Sequence, residues 1–133
     1  MGDLTAHFSK YEFACKDGTE VPAHLLPNLM RLCNALEVLR ADLGQPITIM
    51  SGYRTAAYNA KCGGAKFSRH VQGDAADIQV AGVAPDVVAD AVVRLMKQGK
   101  IGPGGVGRYD AWTHLDMRGT NARWDFRKTG RRG

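Results

Sequence analysis

Apolar residues repeat along the chain with two different periods, and the changes of period mark the elements that we predict. Leucines spaced alternately four and three residues apart predict an amphipathic helix that begins near residues 22–27 and ends at Gly44, a helix-stopping residue. These leucines are Leu25, Leu29, Leu32, Leu36, Leu39 and Leu43. A second helical stripe opens at Ala84-Pro85-Asp86, where proline suits a first-turn position, and ends at Gly99.

Shorter segments predict the strands and one further helix. Pro46–Ser51 alternates and is rich in β-branched residues, and Ala75–Val80 predicts a second strand. A short helix is predicted over Thr55–Cys62. Gly104–Tyr109 and Ala111–Arg118 predict a hairpin with its turn near residues 109–110. Helices packed with a small, largely antiparallel sheet indicate an α+β domain.

The length and composition of the chain fit one globular domain. Its 133 residues are enough to bury a core, and we predict a single domain over residues 1–133. No apolar run reaches the roughly 18–20 residues that a membrane span needs, so we expect no span. The N-terminal residues show no basic stretch followed by an apolar one, so we expect synthesis in the cytoplasm without a signal peptide. The three cysteines are then expected to be reduced and mostly buried.

The positive charge of the chain is concentrated at its C-terminal end. Residues 118–133 hold six basic residues against Asp125 alone and account for the whole net charge of +5, because residues 1–117 hold twelve bases and twelve acids. We expect the run from about residue 127 to be a solvated, frayed tail. Specific nucleic-acid binding is not expected, since the charge is accompanied by no recognised motif.

Two histidines and an aspartate are the residues that point to chemistry. His70 and Asp77 lie seven residues apart with Gly73 between them, so a turn can bring both side chains to one ion. His114 lies on the last predicted strand. Two imidazoles and one carboxylate form the three-ligand set of a catalytic Zn²⁺ site with a fourth position for water. The spacing alone leaves open that these are ordinary polar residues flanking strands.

A composite pattern extends these three positions. Its parts are Ser51-Gly-Tyr-Arg54-Thr-Ala-Ala-Tyr58-Asn59, Gly63-Gly64-Ala65-Lys66, Ser68-x-His70-x-x-Gly73-x-Ala75-x-Asp77, Gly105-Val-Gly107-Arg-Tyr109 and His114-Leu-Asp116. The pattern resembles the zinc D-alanyl-D-alanine carboxypeptidase family, which includes the L-alanyl-D-glutamate endopeptidases of phage endolysins. The resemblance is to the compact members, runs roughly from residue 7 to residue 124, and implies the hedgehog/DD-peptidase-like zinc fold.

The resemblance also implies roles for individual residues. The zinc ligands of the family match His70, Asp77 and His114, and its substrate-contacting arginine and serine match Arg54 and Ser68. A permanently charged guanidinium at position 54 suits stabilisation of an oxyanion, although a surface ion pair is the alternative.

The substrate contacts beyond this arginine have structural alternatives. Ser68 is expected either to hydrogen-bond the substrate or to cap its loop. Tyr109 and Trp112 are expected to line a substrate groove, or else to belong to the core.

The general base is the point at which the sequence departs from the family pattern. Many members carry an acid three residues before the last zinc histidine, where this chain has Ala111. Asp110 lies one residue earlier, and Asp116 lies two residues after His114. On an extended strand these alternate positions share one face. We favour Asp116 as the base, with Asp110 as the competitor; the other carboxylate would orient a ligand.

These features together predict a monomeric zinc peptidase that cleaves the peptidoglycan stem peptide, as a phage or prophage endolysin. It would act on the cell wall from the periplasm after permeabilisation of the membrane, with the basic end attracted to an anionic wall polymer. Two alternatives stay open. One is a non-catalytic, zinc-stabilised wall-binding or signalling-type module, since hedgehog domains resemble this family. The other is a cellular D-Ala-D-Ala carboxypeptidase.

Overall fold

The structure is a computed structural model that describes residues 2–65 and 67–128. The helices are α1 (Leu26–Leu43), α2 (Ala56–Lys61) and α3 (Pro85–Lys97), with short 3₁₀ turns at Lys10–Phe13, Ala23–Leu25 and Arg69–Gln72. The strands are β1 (Ile47–Ser51), β2 (Ala75–Val80), β3 (Gly105–Arg108), β4 (Thr113–Asp116) and β5 (Ala122–Asp125). The predicted helices and strands are all present, with ends shifted by a few residues.

The five strands form one sheet in the order β1-β2-β4-β3-β5. All neighbours are antiparallel except β3 and β5, which are parallel. The α+β prediction and the β3–β4 hairpin are therefore confirmed. Strand β5 was not predicted, because its sequence Ala-Arg-Trp-Asp offers no apolar period.

The core lies between the sheet and the two long helices. Four of the six predicted leucines, Leu29, Leu32, Leu36 and Leu39, are buried, whereas Leu25 and Leu43 at the two ends of the stripe are partly buried. Helix α1 packs against α3 and β2. Gly44 ends α1 with a φ of 67°, the left-handed conformation that favours glycine. Along β2 and β4, Ile78 and Leu115 join this core, so strand alternation turns Asp77 and His114 to the opposite face.

The chain after β5 is tied to the start of α3. Arg127, which we placed at the start of a frayed tail, is only 6% exposed. Its guanidinium contacts Asp125 through Nε and Nη2, at 2.9 and 2.7 Å, and its Nη1 lies 2.9 Å from Asp86. Arg131 and Arg132 lie outside the described residues. None of the helices in the described ranges has the length and apolarity that a membrane span requires.

The three cysteines are unpaired with one another and differ in exposure. Cys15 and Cys33 are buried, whereas Cys62 is exposed beside the C-terminal end of α2. Burial raises the pKa of the Cys33 thiol to about 12, so that it stays protonated and unreactive at neutral pH.

We expect an aromatic disulfide reagent to modify one thiol of the native protein quickly and all three after denaturation. The measured quantity is the amount of reagent thiolate released at neutral pH. Cys62→Ser is the matched control and should abolish the fast phase. Rapid reaction of a second thiol in the native Cys62→Ser variant would contradict the burial of Cys15 and Cys33.

Candidate metal centre

His70 is held by a capped turn between α2 and β2. The side chain of Ser68 accepts a hydrogen bond from the His70 backbone N–H at 3.2 Å and so begins the 3₁₀ turn. The imidazole Nδ1 lies 2.7 Å from the carbonyl oxygen of Gly52, which makes Nδ1 the protonated nitrogen. The other nitrogen, Nε2, is then a lone-pair donor and lies 3.4 Å from Oδ1 of Asp77.

The other two residues face each other across the β2–β4 ladder. Asp77 and His114 are register partners, and His114 Nδ1 lies 3.1 Å from Asp77 Oδ1. The same carboxylate oxygen therefore lies near a nitrogen of each histidine.

These three residues fit the donor set of a zinc ion. One ligand atom from each of His70, Asp77 and His114 lies within 4.8 Å of the other two, and the residues are 4%, 8% and 5% exposed. Two nitrogens and one carboxylate oxygen suit zinc, and the Gly52 carbonyl orients the first histidine from behind.

Asp116 lies on the far side of His114 from Asp77. Its Oδ2 is 2.8 Å from His114 Nε2, so the carboxylate accepts that N–H and leaves Nδ1 to face Asp77. The carboxylate also accepts hydrogen bonds from the backbone N–H of Gly105 and from the backbone N–H, Nε and Nη2 of Arg118. It is completely buried, and a Cβ at position 105 would collide with it. These contacts give Asp116 the geometry of a group that orients a ligand.

Opposite charges in this cluster shift one another's pKa toward the charged forms. Burial would raise the pKa of Asp77, but the adjacent imidazoles of His114 and His70 outweigh it and hold the pKa well below its usual range. Burial likewise opposes ionisation of Asp116, whose pKa is nevertheless lowered by His114 and Arg118. For His114, burial would lower the pKa, but hydrogen bonds to Asp116 and Asp77 raise it. Both carboxylates are therefore ionised at neutral pH.

Asp110 has a different environment from Asp116. It is exposed in the turn before β4, which begins only at Thr113, and its Oδ2 accepts the backbone N–H of Lys128 at 3.0 Å. Neither Asp110 nor Asp116 contributes to the described wall of the cleft. Which of them acts as a base stays a prediction.

A cleft with a volume of about 450 Å³ lies over the three candidate ligands. All four residues predicted to contact a substrate line it, together with further side chains that were not predicted to do so. The first set is Arg54, Ser68, Tyr109 and Trp112, and the second includes Phe67, Arg69, Arg118, Trp124 and Phe126. The sequence could have predicted a place for Arg118 at the cleft, because it follows His114 and Asp116 at the next alternate position of the chain.

Arg54 lies against the oxygen of Asp77 that is turned away from the histidines. Its Nη2 is 3.7 Å from Asp77 Oδ2, and its Nη1 donates to Asn59 Oδ1 at 3.2 Å. The amide nitrogen of Asn59 in turn donates to the carbonyl of Ala65 at 2.8 Å. The guanidinium is therefore held at the cleft wall by a buried asparagine.

Aromatic side chains form another part of the cleft wall. Tyr109 stacks on Trp112 with ring centroids 4.7 Å apart and an interplanar angle of 17°. The Trp124 ring lies 4.9 Å from the ring of His114, and Arg118 lies over its indole at 5.4 Å. The predicted groove residues thus lie at the cleft, next to a tryptophan contributed by the unpredicted strand β5.

Comparison with known protein families finds a match over most of the chain. A family model described as Peptidase M15 matches residues 6–116, more than four fifths of the chain. The matched region contains all three candidate ligands. No curated protein matches the chain.

We expect Asp116→Asn to weaken zinc binding by about 10- to 100-fold, because removal of the charge behind His114 loosens an orienting contact. The measurement is the zinc dissociation constant, obtained by competition with a chromophoric chelator. Asp110→Asn is the matched control and should bind zinc like the unmodified protein. Equal zinc affinity for both variants, with the fold retained by circular dichroism, would contradict the orienting role of Asp116.

Proposed function

The chain belongs to the peptidase M15 family, of the zinc D-alanyl-D-alanine carboxypeptidase type, and on this premise we propose that it hydrolyses a peptide bond in the stem peptide of peptidoglycan. The observation that carries the proposal is the convergence of His70, Asp77 and His114 at one cleft within the matched region. An open cleft over a three-residue ligand set suits catalysis, because a structural zinc site has four protein ligands.

Zinc held by these residues would supply Lewis acidity toward the scissile carbonyl and toward the attacking water. Arg54 keeps a fixed positive charge at the cleft wall, where it stabilises negative charge that develops on the substrate. Ser68 accepts a hydrogen bond from the His70 backbone, so its own hydroxyl proton is available to a bound peptide. Its two predicted roles, cap and substrate contact, are therefore compatible.

The proton transfers are assigned to the remaining carboxylate of the predicted pair. Five hydrogen-bond donors already engage Asp116, which supports an orienting role for it. Asp110 remains as the proposed base that takes a proton from water and returns it to the leaving amine. This role requires its carboxylate, which lies outside the cleft wall and accepts the backbone N–H of Lys128, to turn toward the cleft when the substrate binds.

We further propose that the protein serves as a phage or prophage endolysin, a role that rests on the resemblance to the compact members of the family. It would reach the wall from the periplasm once the membrane is permeabilised. A cellular carboxypeptidase would cut at the terminal D-Ala-D-Ala bond, whereas an endolysin of this type cuts inside the stem. The identity of the released fragments therefore distinguishes the two roles.

We expect purified walls to release stem-peptide fragments when the zinc-loaded protein is added. A chelator should stop the release and added zinc should restore it, because the proposed hydrolysis depends on the Lewis acidity of the metal. Mass spectrometry of the fragments identifies the bond. His114→Ala should lower the rate by more than about 10³-fold, and His24→Ala, in the 3₁₀ turn before α1, is the matched histidine control. A folded, zinc-loaded protein that releases no fragments would instead support the non-catalytic module.

Fewer basic residues at the C-terminal end are left for wall binding than the sequence indicated, because three of them contact the domain itself. Arg118 pairs with Asp116, Arg123 donates to the carbonyl of Gly104 at 2.6 Å, and Arg127 pairs with aspartates of the domain. The other basic residues of this segment are Lys128, Arg131 and Arg132, of which the last two lie outside the described residues. We propose that these three attract the protein to an anionic wall polymer.

Deletion of residues 129–133 should reduce retention on sedimented walls and make it less sensitive to salt, while cleavage of a soluble stem peptide stays unchanged. The deletion removes Arg131 and Arg132 but keeps Arg127, whose contacts belong to the fold. A variant with both terminal arginines changed to lysine keeps the charge and should bind walls normally. Loss of wall binding in this lysine variant would contradict an electrostatic role.

A further inference from the structure

Trp124 connects a candidate zinc ligand with a tyrosine of the cleft. One side of its indole faces the ring of His114, with 4.9 Å between centroids. Its Nε1–H donates a hydrogen bond to the hydroxyl oxygen of Tyr109 at 2.9 Å. A single side chain from β5 therefore fixes the position of a phenol relative to the metal centre.

A glycine in the neighbouring strand leaves space for this indole. In the parallel register of β3 and β5, Gly107 lies opposite Trp124. A Cβ at position 107 would collide with the indole ring, so a glycine is required there. Trp124 thus fills a place left free by the strand that precedes Tyr109.

The hydrogen bond from Trp124 determines what the phenol can do. Because the Tyr109 oxygen accepts the indole N–H, its own O–H remains a donor. Within residues 2–65 and 67–128, the hydroxyl has no protein acceptor. Stacking on Trp112 fixes the ring, which lines the same cleft as Arg54 and Asp77.

The phenol also keeps its proton at neutral pH. Burial raises the pKa of Tyr109, the hydrogen bond from Trp124 lowers it, and the negative charge of Asp77 raises it further, with the net shift upward. The hydroxyl is therefore a neutral donor beside a site where negative charge develops on a substrate.

We propose that Tyr109 donates a hydrogen bond to the peptide carbonyl oxygen that gains negative charge during hydrolysis, and that Trp124 is the positioning residue that aims this donor. The inference rests on the proposed peptidase function. It assigns a second stabilising group to the cleft, in addition to Arg54. Tyr109 is then a catalytic residue, whereas Trp124 acts through it.

The test compares kcat and KM of three zinc-loaded variants on a soluble stem peptide. Tyr109→Phe removes only the hydroxyl and should lower kcat by about 100-fold with KM nearly unchanged. Trp124→Phe keeps an aromatic ring beside His114 but loses the N–H, and should lower kcat by about 10-fold. The double variant should be no slower than Tyr109→Phe, because Trp124 acts only through that hydroxyl.

Tyr11→Phe is the matched control, since Tyr11 is 79% exposed and does not line the cleft, and it should behave like the unmodified protein. Zinc content is measured for every variant, so that loss of metal is separated from loss of the donor. Tyr109→Phe carries the test if Trp124→Phe fails to fold. Unchanged kcat in Tyr109→Phe, a change confined to KM, or multiplied losses in the double variant would overturn the inference.

A binding measurement separates this inference from the proposed function. A phosphinate analogue of the stem peptide mimics the charged tetrahedral state, and its dissociation constant should rise about 10-fold or more in Tyr109→Phe. A protein that cleaves stem peptides while Tyr109→Phe matches it overturns only the inference. A protein that neither cleaves the peptides nor binds the analogue overturns the proposed function as well.

Discussion

The pairing of β2 with β4 is the constraint on which the site depends. Asp77 and His114 lie directly opposite each other in this antiparallel ladder, and the neighbouring pair of Ala76 and Leu115 is buried in the core on the other face. A slip of one residue would exchange the two faces, placing charged side chains in the core and apolar ones at the cleft. The cost of that exchange fixes the register. The hydrophobic core thus determines the geometry of the ligands.

Buried charges at the ligands require a second layer of contacts. His114 lies between the carboxylates of Asp77 and Asp116, and Arg118 balances the second carboxylate. Beside the other histidine, the fully buried carboxylate of Asp74 contacts the guanidinium of Arg69. Each carboxylate therefore has a cationic or N–H partner, without which burial of its charge would be strongly unfavourable.

The sequence predicted those elements and site residues whose structure depends on local interactions or on a specific motif. Gly44 ends α1 because its own backbone conformation requires glycine, and the spacing around His70 and Asp77 reflects one turn and one strand. The sequence did not predict β5, because a four-residue parallel strand is specified by its partner β3 and by the glycine opposite Trp124. The environments of Asp110 and Asp116 differ for a similar reason. The chain becomes extended only at Thr113, and that boundary depends on the turn and on contacts with distant residues.

The family match covers the candidate ligands but only part of the cleft wall. All three candidate ligands and Arg54 lie within residues 6–116, whereas Arg118, Trp124 and Phe126 line the cleft from beyond that region. Strand β5 pairs only with β3, at the edge of the sheet, so its sequence can change without altering the β2–β4 register. Changes there would reshape the aromatic wall and leave the ligand set intact. The architecture therefore places one part of the aromatic cleft wall beyond the matched region, and Trp124 joins that part to the candidate ligands because it contacts both His114 and Tyr109.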